Sequence, residues 1–241
     1  MIMNDFLVVF IFQKADDVYE FPEMRVDKLL STFGLSTRSR SKQFAKDFGI
    51  STVEDPEKFL VPNSRVLPST VLIGGEPLPY PRPLHIMLYK PEGYVCSHKE
   101  DPSIYSLLPG DFDLRSPKLV SAGRLDQMAS GILILSQNGR IIQRLISPKH
   151  HLEKQYLVEV SSDLDLDTKK EQTAFADGNI AIRNRKTNEL ERCSPARLEY
   201  IGPRTARVWL AEGRYHQLRR MFAALDNEVV LENDDGGITG H

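Results

Sequence analysis

Cysteine is scarce in this sequence of 241 residues. The only two, Cys96 and Cys193, stand far apart and no Cys-x-x-Cys pair occurs, so neither a disulfide framework nor a cysteine zinc site is indicated. We expect two buried free thiols in a reducing compartment, because an unpaired cysteine packs as a small hydrophobic side chain. Metal-ligand clusters and glycine-rich phosphate loops are also missing from the sequence.

Long hydrophobic runs are missing too. The longest extends from Phe6 to Phe12, far short of the ~20 apolar residues that span a membrane. No basic residue precedes this run and no small-residue cleavage site follows it, which is untypical of a signal peptide. We therefore expect a cytoplasmic protein that does not contact a membrane.

An overall excess of basic charge is absent, because the formal net charge is −2. The charge is unevenly distributed, however: residues 1–23 carry −4 and residues 226–241 carry −5, which leaves +7 for the chain between them. A basic body between acidic ends is compatible with binding to a nucleic-acid backbone. A set of solvated surface charges explains the same numbers equally well.

The first 23 residues differ in composition from those that follow. Met24 opens a clean helical pattern, so we interpret residues 1–23 as a disordered or spurious extension and Met24 as the working start. The alternative is a genuine first strand from Phe6 to Phe12.

A small domain is predicted for residues 24–78. Val26, Leu29, Leu30 and Phe33 share one face of a helix, and Gly34 follows as a stop signal. The spacing therefore predicts a first helix that begins near Met24 and ends before Gly34.

A second helix is predicted directly after the first, with Ser36 as its N-cap. Short strands follow at residues 66–67 and 70–73, with a Gly-Gly turn. Two helices and a small β unit resemble an S4-type RNA-binding module, although residues 51–62 are acidic. The basic residues of the second helix are Arg38, Arg40, Lys42 and Lys46.

The rest of the chain reads as a stiff linker and a larger domain. Prolines at alternate positions make residues 79–83 an extended linker. Residues 84–241 are predicted to form an α+β domain, with a mixed, mainly antiparallel β-sheet flanked by helices. The predicted strands are 84–90, 118–122, 132–136, 155–160, 196–200 and 206–211, and the predicted helices are 138–146, 168–176 and 215–225.

One aspartate lies on a short loop between two predicted strands. Gly123 allows a sharp turn after the first strand, and Gly131 ends the loop before the second. A carboxylate held between rigid elements is well placed for function. The alternative is an Asx-turn, in which Asp126 bonds only its own backbone.

A basic helix start follows a strand and a glycine turn in residues 212–224. Arg214, Arg219 and Arg220 can bind phosphate or pair with a carboxylate. We interpret His216 as a structural residue or a phosphate donor and leave it out of the predicted catalytic set.

Five segments in the same order resemble the RsuA family of ribosomal RNA pseudouridine synthases. The catalytic motif of that family is matched by Gly123-Arg-Leu-Asp126, its tyrosine strand by Lys154-Gln-Tyr-Leu-Val158, and its third motif by Arg214-Tyr-His-Gln-Leu-Arg-Arg-Met221. Residues 147–154 match the approach to the tyrosine strand, and residues 90–94 match the opening of the catalytic domain. The resemblance extends from about Arg25 to Val230, and the Arg-Tyr-His-Gln form favours the branch that modifies the small subunit.

The resemblance implies an isomerase that converts one uridine of ribosomal RNA to pseudouridine without a cofactor. It assigns Asp126 as the catalytic carboxylate, which either attacks C1′ or supports proton removal from the sugar. Arg219 is assigned as the partner that keeps this carboxylate ionised. Tyr156 is assigned as the active-site ring, for which a strand residue packed in the core is the alternative. The remaining predicted RNA contacts are Arg124, Leu218, Arg214, Arg220, Arg38, Arg40 and Lys42.

Further expectations concern the partner and two departures from the family pattern. The expected partner is ribosomal RNA or a partly assembled small subunit, bound by a monomer. Met128 and Ala129 replace polar residues that fix the loop by local hydrogen bonds, so we expect a looser loop. The acidic tail from Glu232 onward replaces a basic segment with a last strand, so we expect a truncated C-terminus. The alternative functions are a catalytically impaired RNA-binding ribosome-assembly protein and a synthase that acts on large-subunit RNA.

Overall fold

The chain divides into two compact units. The computed structural model describes residues 2–4, 7–12, 20–110, 112, 114–147 and 152–239. The first unit comprises Met1–Leu88, Ile104–Ser121 and Ile134–Ile142, and the second comprises Tyr89–Ser103, Ala122–Leu133 and Gln143–His241. The predicted domain limits at residues 23, 78 and 83 stay predictions.

Short helices and strands alternate along the chain. The helices are α1 (Val26–Thr32), α2 (Ser41–Phe48), α3 (Gly139–Ile146), α4 (Lys170–Ala176) and α5 (Gln217–Ala223). The strands are β1 (Ile2–Asn4), β2 (Leu7–Phe12), β3 (Met24–Arg25), β4 (Ile50–Thr52), β5 (Arg65–Val66), β6 (Val71–Ile73), β7 (Glu76–Pro77), β8 (His85–Lys90), β9 (Val120–Ser121), β10 (Ser130–Ser136), β11 (Glu153–Val160), β12 (Ala181–Arg183), β13 (Leu190–Arg192), β14 (Arg197–Gly202), β15 (Thr205–Leu210) and β16 (Val229–Thr239).

The first predicted helix is confirmed. α1 buries Val26, Leu29 and Leu30 completely, and the buried Phe33 follows as its C-cap. Gly34 has φ +73°, a value that L side chains rarely adopt, and a Cβ there would lie 2.6 Å from Leu114 Cβ. Backbone conformation and packing therefore both require the glycine that ends this helix.

The start of the second helix was predicted wrongly. Arg38–Arg40 form a 3₁₀ turn, and α2 begins only at Ser41 with Arg40 as its N-cap. The Ser36 hydroxyl donates to the Thr37 carbonyl instead of capping the helix. A tight turn precedes α2 because the Arg40 amide bonds the Thr37 carbonyl at 3.1 Å, which is a pattern that side-chain periodicity does not reveal.

A small antiparallel sheet follows α2. β4 pairs with β6 and β6 with β7, and Gly74 and Gly75 form the turn between β6 and β7 with positive φ. The predicted Gly-Gly turn is therefore confirmed. Ile50, Val71 and Leu78 contribute to one buried cluster with the apolar face of α1, so these elements share a core.

The described residues before residue 20 form two strands. β1 pairs with β2, and β2 pairs antiparallel with β8 in the register Val9–Leu88. The strand at Leu7–Phe12 agrees with the alternative of a genuine first strand. That Met24 is the working start stays a prediction, and residues 13–19 lie outside the described part of the chain.

The sheet of the second unit has the strand order β10–β16–β11–β15–β14. Ser130 and Gly131 of β10 run parallel to β16, whereas the other neighbouring strands are antiparallel. Tyr156, Val158 and Val160 alternate with less buried residues along β11, as expected for a strand with one face in the core. This is the mixed, mainly antiparallel sheet that the sequence predicts.

The acidic tail contains a strand that we did not predict. β16 lies between β10 and β11, with Asn233 opposite Ser130 on one side and Leu157 on the other. The expectation that this tail lacks a strand is therefore wrong. Backbone hydrogen bonds on both sides hold β16 in the sheet whatever its side chains are. Its polar side chains therefore give no hydrophobic pattern from which a strand could be predicted. A truncation relative to the family is a separate prediction, which this strand does not test.

Helix α5 packs against β16 and β12. The Phe222 ring of α5 lies 5.2 Å from the Phe175 ring of α4, and both rings are fully buried. The hairpin of β12 and β13 was also missed by the sequence analysis, because its two strands are only three residues long. This packing fixes the start of α5, where the third motif lies.

Candidate active site

The Asp126 loop is tightly turned. Gly123 has φ +90°, and the Ala129 amide donates to the Asp126 carbonyl at 3.1 Å. Ala129 is fully buried, Met128 is exposed, and the Asp126 side chain is 25% exposed. The loop therefore presents its carboxylate to solvent while its last turn is anchored in the protein.

A buried lysine holds this loop from inside. Lys90 is fully buried, and its Nζ donates to the carbonyls of Pro91 (3.0 Å), Gln127 (3.1 Å) and Ala129. Burial lowers the pKa of Lys90, whereas the charges of Cys96, Glu92 and Asp126 act to raise it. The buried ammonium is thus compensated by carbonyls of the loop and by the carboxylate beside it.

Gln127 adds two further attachments, one through its side chain and one through its backbone carbonyl. Its amide donates to the Gly93 carbonyl at 3.0 Å, and the Gly93 amide donates to the Gln127 carbonyl at 2.8 Å. These bonds and the Lys90 ammonium fix the loop without polar side chains at Met128 and Ala129. The expectation of a looser loop stays a prediction.

Histidine faces the Asp126 carboxylate. His216 Nε2 lies 3.4 Å from Asp126 Oδ1, and the His216 ring stacks on Tyr215 with centroids 3.7 Å apart and planes inclined by 19°. The Arg185 guanidinium lies 4.1 Å from the centre of the Tyr215 ring. Sequence reasoning left His216 out of the site, since a single histidine carries no local signal of its partner.

Arg219 has different partners from the one predicted. Its Nε lies 3.6 Å from Glu232 Oε2, and its Nη1 donates to the Val229 carbonyl at 2.9 Å. Both partners belong to β16, the strand that the sequence did not reveal. The predicted pairing of Arg219 with Asp126 is corrected accordingly, and Arg219 joins α5 to β16.

Arg214 and Arg220 attach the β12–β13 hairpin to the third motif. Arg214 pairs with Glu191 (3.5 Å) and Glu212 (3.3 Å) and donates to the Arg192 carbonyl at 2.9 Å. Arg220 donates to the carbonyls of Tyr215 and Arg183. Both arginines therefore have structural contacts, and their predicted contact with RNA stays a prediction.

The other predicted site residues differ in exposure. Tyr156 and Leu218 are buried, which agrees with the core-packing alternative for Tyr156, while Arg124 is exposed two residues before Asp126. The roles predicted for these residues stay predictions. Three further predicted contacts lie in the first unit and are exposed: Arg38, Arg40 and Lys42.

The Lys154 side chain lies close to the other two motif segments. A Cβ built on Gly123 would lie 3.1 Å from Lys154 Nζ, and one built on Gly213 would lie 3.7 Å from it. Lys154 belongs to the Lys-Gln-Tyr-Leu-Val segment, so its ammonium stands beside the turns that precede Asp126 and Arg214. The motifs that resemble one family thus meet in one place within the second unit.

Comparison with known proteins decides the family. The sequence profile described as RNA pseudouridylate synthase matches residues 84–224, which is more than half of the chain. The chain belongs to this family. The matched segment includes Asp126, Tyr156, His216 and Arg219.

Relatives in the family match most of the chain. The ribosomal small subunit pseudouridine synthase A of Pasteurella multocida is 38% identical over 212 residues, covering 86% of this chain and 85% of the relative. The protein of the same name from Escherichia coli K12 is 37% identical over 224 residues, covering 90% of each. A solved structure titled a crystal structure of pseudouridylate synthase is 32% identical, with a TM-score of 0.55 over 87% of this chain and 86% of that one. The α+β pseudouridine synthase fold is thereby established.

Neither a membrane-spanning helix nor a metal-ligand cluster is present in the described residues. Within the described ranges, no helix is long and apolar enough to span a bilayer. The same part of the chain holds no group of three or more His, Cys, Asp or Glu residues suited to a metal ion.

Proposed function

We propose that this pseudouridylate synthase isomerises a uridine of small-subunit ribosomal RNA, with Asp126 as its catalytic carboxylate. The observation that best supports this proposal is the position of Asp126. Its loop is held by the Lys90 ammonium, and His216 Nε2 lies 3.4 Å from Asp126 Oδ1. A reaction at a ribose carbon requires a carboxylate that is held in place and is partly accessible to the substrate. The names of the relatives support the small subunit as the source of the RNA.

The bonds and protons that change in this reaction all belong to one nucleotide. The bond from uracil N1 to ribose C1′ breaks, a bond from C5 to C1′ forms, C5 loses its proton and N1 gains one. Asp126 either attacks C1′ and is later displaced, or supports proton removal from the sugar. Both courses need an ionised carboxylate.

The target base has to leave its stack before it can reach a carboxylate on a protein loop. Extrusion costs a few kcal/mol, and stacking on an aromatic side chain returns roughly 1–3 kcal/mol. We assign Tyr156 to the base and to the proton that leaves C5, and Leu218 to the wall of the uracil pocket. The exposed Arg124 binds the RNA backbone beside Asp126 or helps to extrude the base.

The S4-like part of the chain binds the RNA backbone in this proposal. Arg38, Arg40 and Lys42 are exposed on the turn and helix that follow α1, and such cations release counterions from RNA when they contact phosphates. The partner is ribosomal RNA or a partly assembled small subunit, bound by a monomer. A cytoplasmic location follows from a ribosomal substrate.

The RNA target is tested by mapping the product. The protein is incubated with free small-subunit RNA, with small-subunit particles and with large-subunit RNA, and pseudouridine is located by carbodiimide modification and reverse-transcription stops. We expect one new stop in small-subunit RNA, and none with the Asp126→Asn variant. A stop only in large-subunit RNA would contradict the assigned substrate, and no stop in any RNA would contradict catalysis.

A further inference from the structure

The Asp126 carboxylate has one side-chain partner in the described part of the chain. His216 Nε2 lies 3.4 Å from Oδ1, and within that part no hydrogen bond or ion pair is found at Oδ2. Arg219, to which sequence reasoning gave this task, is occupied by Glu232 and the Val229 carbonyl. The carboxylate is thus held at one oxygen and left available at the other.

The backbone at His216 is unusual for its residue type. His216 has φ 48° and ψ 42°, the left-handed conformation that glycine favours, at the residue directly before α5. Its carbonyl still accepts the Arg220 amide at 3.1 Å, so the helix begins from this strained residue. A strained conformation persists where the surrounding structure enforces it, often at functional sites.

The side chains of Tyr215 and Arg185 form a stack with the His216 imidazole. The Tyr215 ring is stacked on the His216 ring at 3.7 Å, and the Arg185 guanidinium covers the Tyr215 ring at 4.1 Å. Arg185 lies on the turn between β12 and β13, which Arg214 and Arg220 attach to the same segment. Stacking of this kind orients an exposed ring without a hydrogen bond to it.

We propose that His216 positions the Asp126 carboxylate for reaction, and that Tyr215 and Arg185 hold the His216 imidazole in place. The inference rests on the proposed function, because it assigns a task at the same site. His216 acts through Asp126 and is a positioning residue, which leaves Oδ2 to face the ribose. The β12–β13 hairpin, which carries Arg185, then helps to fix the orientation of the Asp126 carboxylate through Tyr215 and His216.

Kinetics separate positioning from RNA binding. Tritium release from [5-³H]uridine-labelled small-subunit RNA is followed at saturating protein, and the RNA Kd is measured by filter binding. For His216→Ala we expect a rate constant about 100-fold lower, since small misplacements of a reacting group cost that much, with Kd within about threefold of the parent. His216→Gln recovers part of the rate because its amide can donate to Oδ1, and Tyr215→Phe, which keeps the ring, changes little.

Controls distinguish positioning from folding. His98→Gln alters an exposed histidine that belongs neither to the Asp126 loop nor to the segment before α5, and it is expected to behave as the parent. Thermal melting of each variant identifies loss of fold. The proposal is overturned if His216→Ala keeps the parent rate, or if rate and affinity fall together and the glutamine variant recovers neither.

A spectroscopic measurement does not depend on catalysis. In protein labelled with [¹⁵N]histidine, the His216 ring nitrogen signals should move when Asp126 becomes Asn, whereas the His98 signals should not. Shifted signals with an inactive parent would uphold the positioning contact and reject the proposed reaction. Unshifted signals with an active parent would reject the positioning role alone.

Discussion

The cations of the two units have opposite surroundings. Arg214, Arg219 and Arg220 of the second unit each contact carboxylates or carbonyls of the protein. Arg38 and Arg40 of the first unit are exposed, and no ion pair to either side chain is found among the described residues. Basic motif residues of the second unit can therefore be structural, while the less distinctive basic residues Arg38 and Arg40 of the first unit remain exposed to solvent.

Replacing Lys90 should have the largest effect on folding. In Lys90→Met the carbonyls of Pro91 and Ala129 lose a charged donor inside the protein, and each unsatisfied buried group costs about 1–3 kcal/mol. We expect the free energy of unfolding to fall by about 3 kcal/mol in urea denaturation, together with loss of activity. Lys99→Met, at an exposed lysine, is the matched control. Parent-like stability of Lys90→Met would show that the loop does not depend on this ammonium.

Adding one methyl group at Gly123 should have the next largest effect. Gly123→Ala forces a side chain into φ +90° and sets its Cβ 3.1 Å from Lys154 Nζ, and such a conformation costs about 1–3 kcal/mol. We expect a lower melting temperature and slower catalysis with little change in RNA affinity. Gly110→Ala is the control, because its φ is ordinary and no atom lies within 4 Å of its Cβ position. Equal melting of both variants would contradict the strained turn.

Removing the exposed cations should act on RNA alone. In the triple variant Arg38→Ala, Arg40→Ala, Lys42→Ala we expect weaker RNA binding and a salt dependence of log Kd that is shallower by about 2–3, since each phosphate contact contributes about 0.7–0.9. The melting temperature should stay within about 2 °C of the parent, because exposed substitutions change stability little. An unchanged salt slope would mean that these residues are solvated surface charges.

Replacing Arg214 should have the smallest effect. In contrast to the triple variant, it should change stability slightly and leave RNA binding unchanged. Arg214→Met removes ion pairs to Glu191 and Glu212 that are partly exposed, and such pairs contribute roughly 0–1 kcal/mol. We expect a small loss of stability and an unchanged salt slope for RNA. A slope that falls by about 1 would restore Arg214 as a phosphate contact and weaken the contrast between the two units.

Local patterns explain which parts of the fold were predictable. The face of α1, the Gly74–Gly75 turn and the strands around Asp126 follow from spacing and turn chemistry. β16 did not, because its residues from Glu232 to Gly237 are polar or glycine and its place depends on partners far along the chain. Arg219 was given the wrong partner for the same reason, as Glu232 belongs to that strand.

The site was predictable only as a set of motifs. Gly123, Asp126 and the segment starting at Arg214 were found from their residue types, but spacing does not tell which side chains face each other. The contact of His216 with Asp126 joins positions 90 residues apart and depends on the left-handed backbone at His216. Neither the loop nor the helix start alone carries a signal of it.

The most direct test is tritium release from [5-³H]uridine-labelled small-subunit RNA by the parent and by Asp126→Ala. We expect release by the parent and none by the variant, with both proteins binding RNA equally and melting alike. Equal release by both would contradict Asp126 as the catalytic residue. No release by the parent, on free RNA and on particles alike, would contradict the proposed reaction.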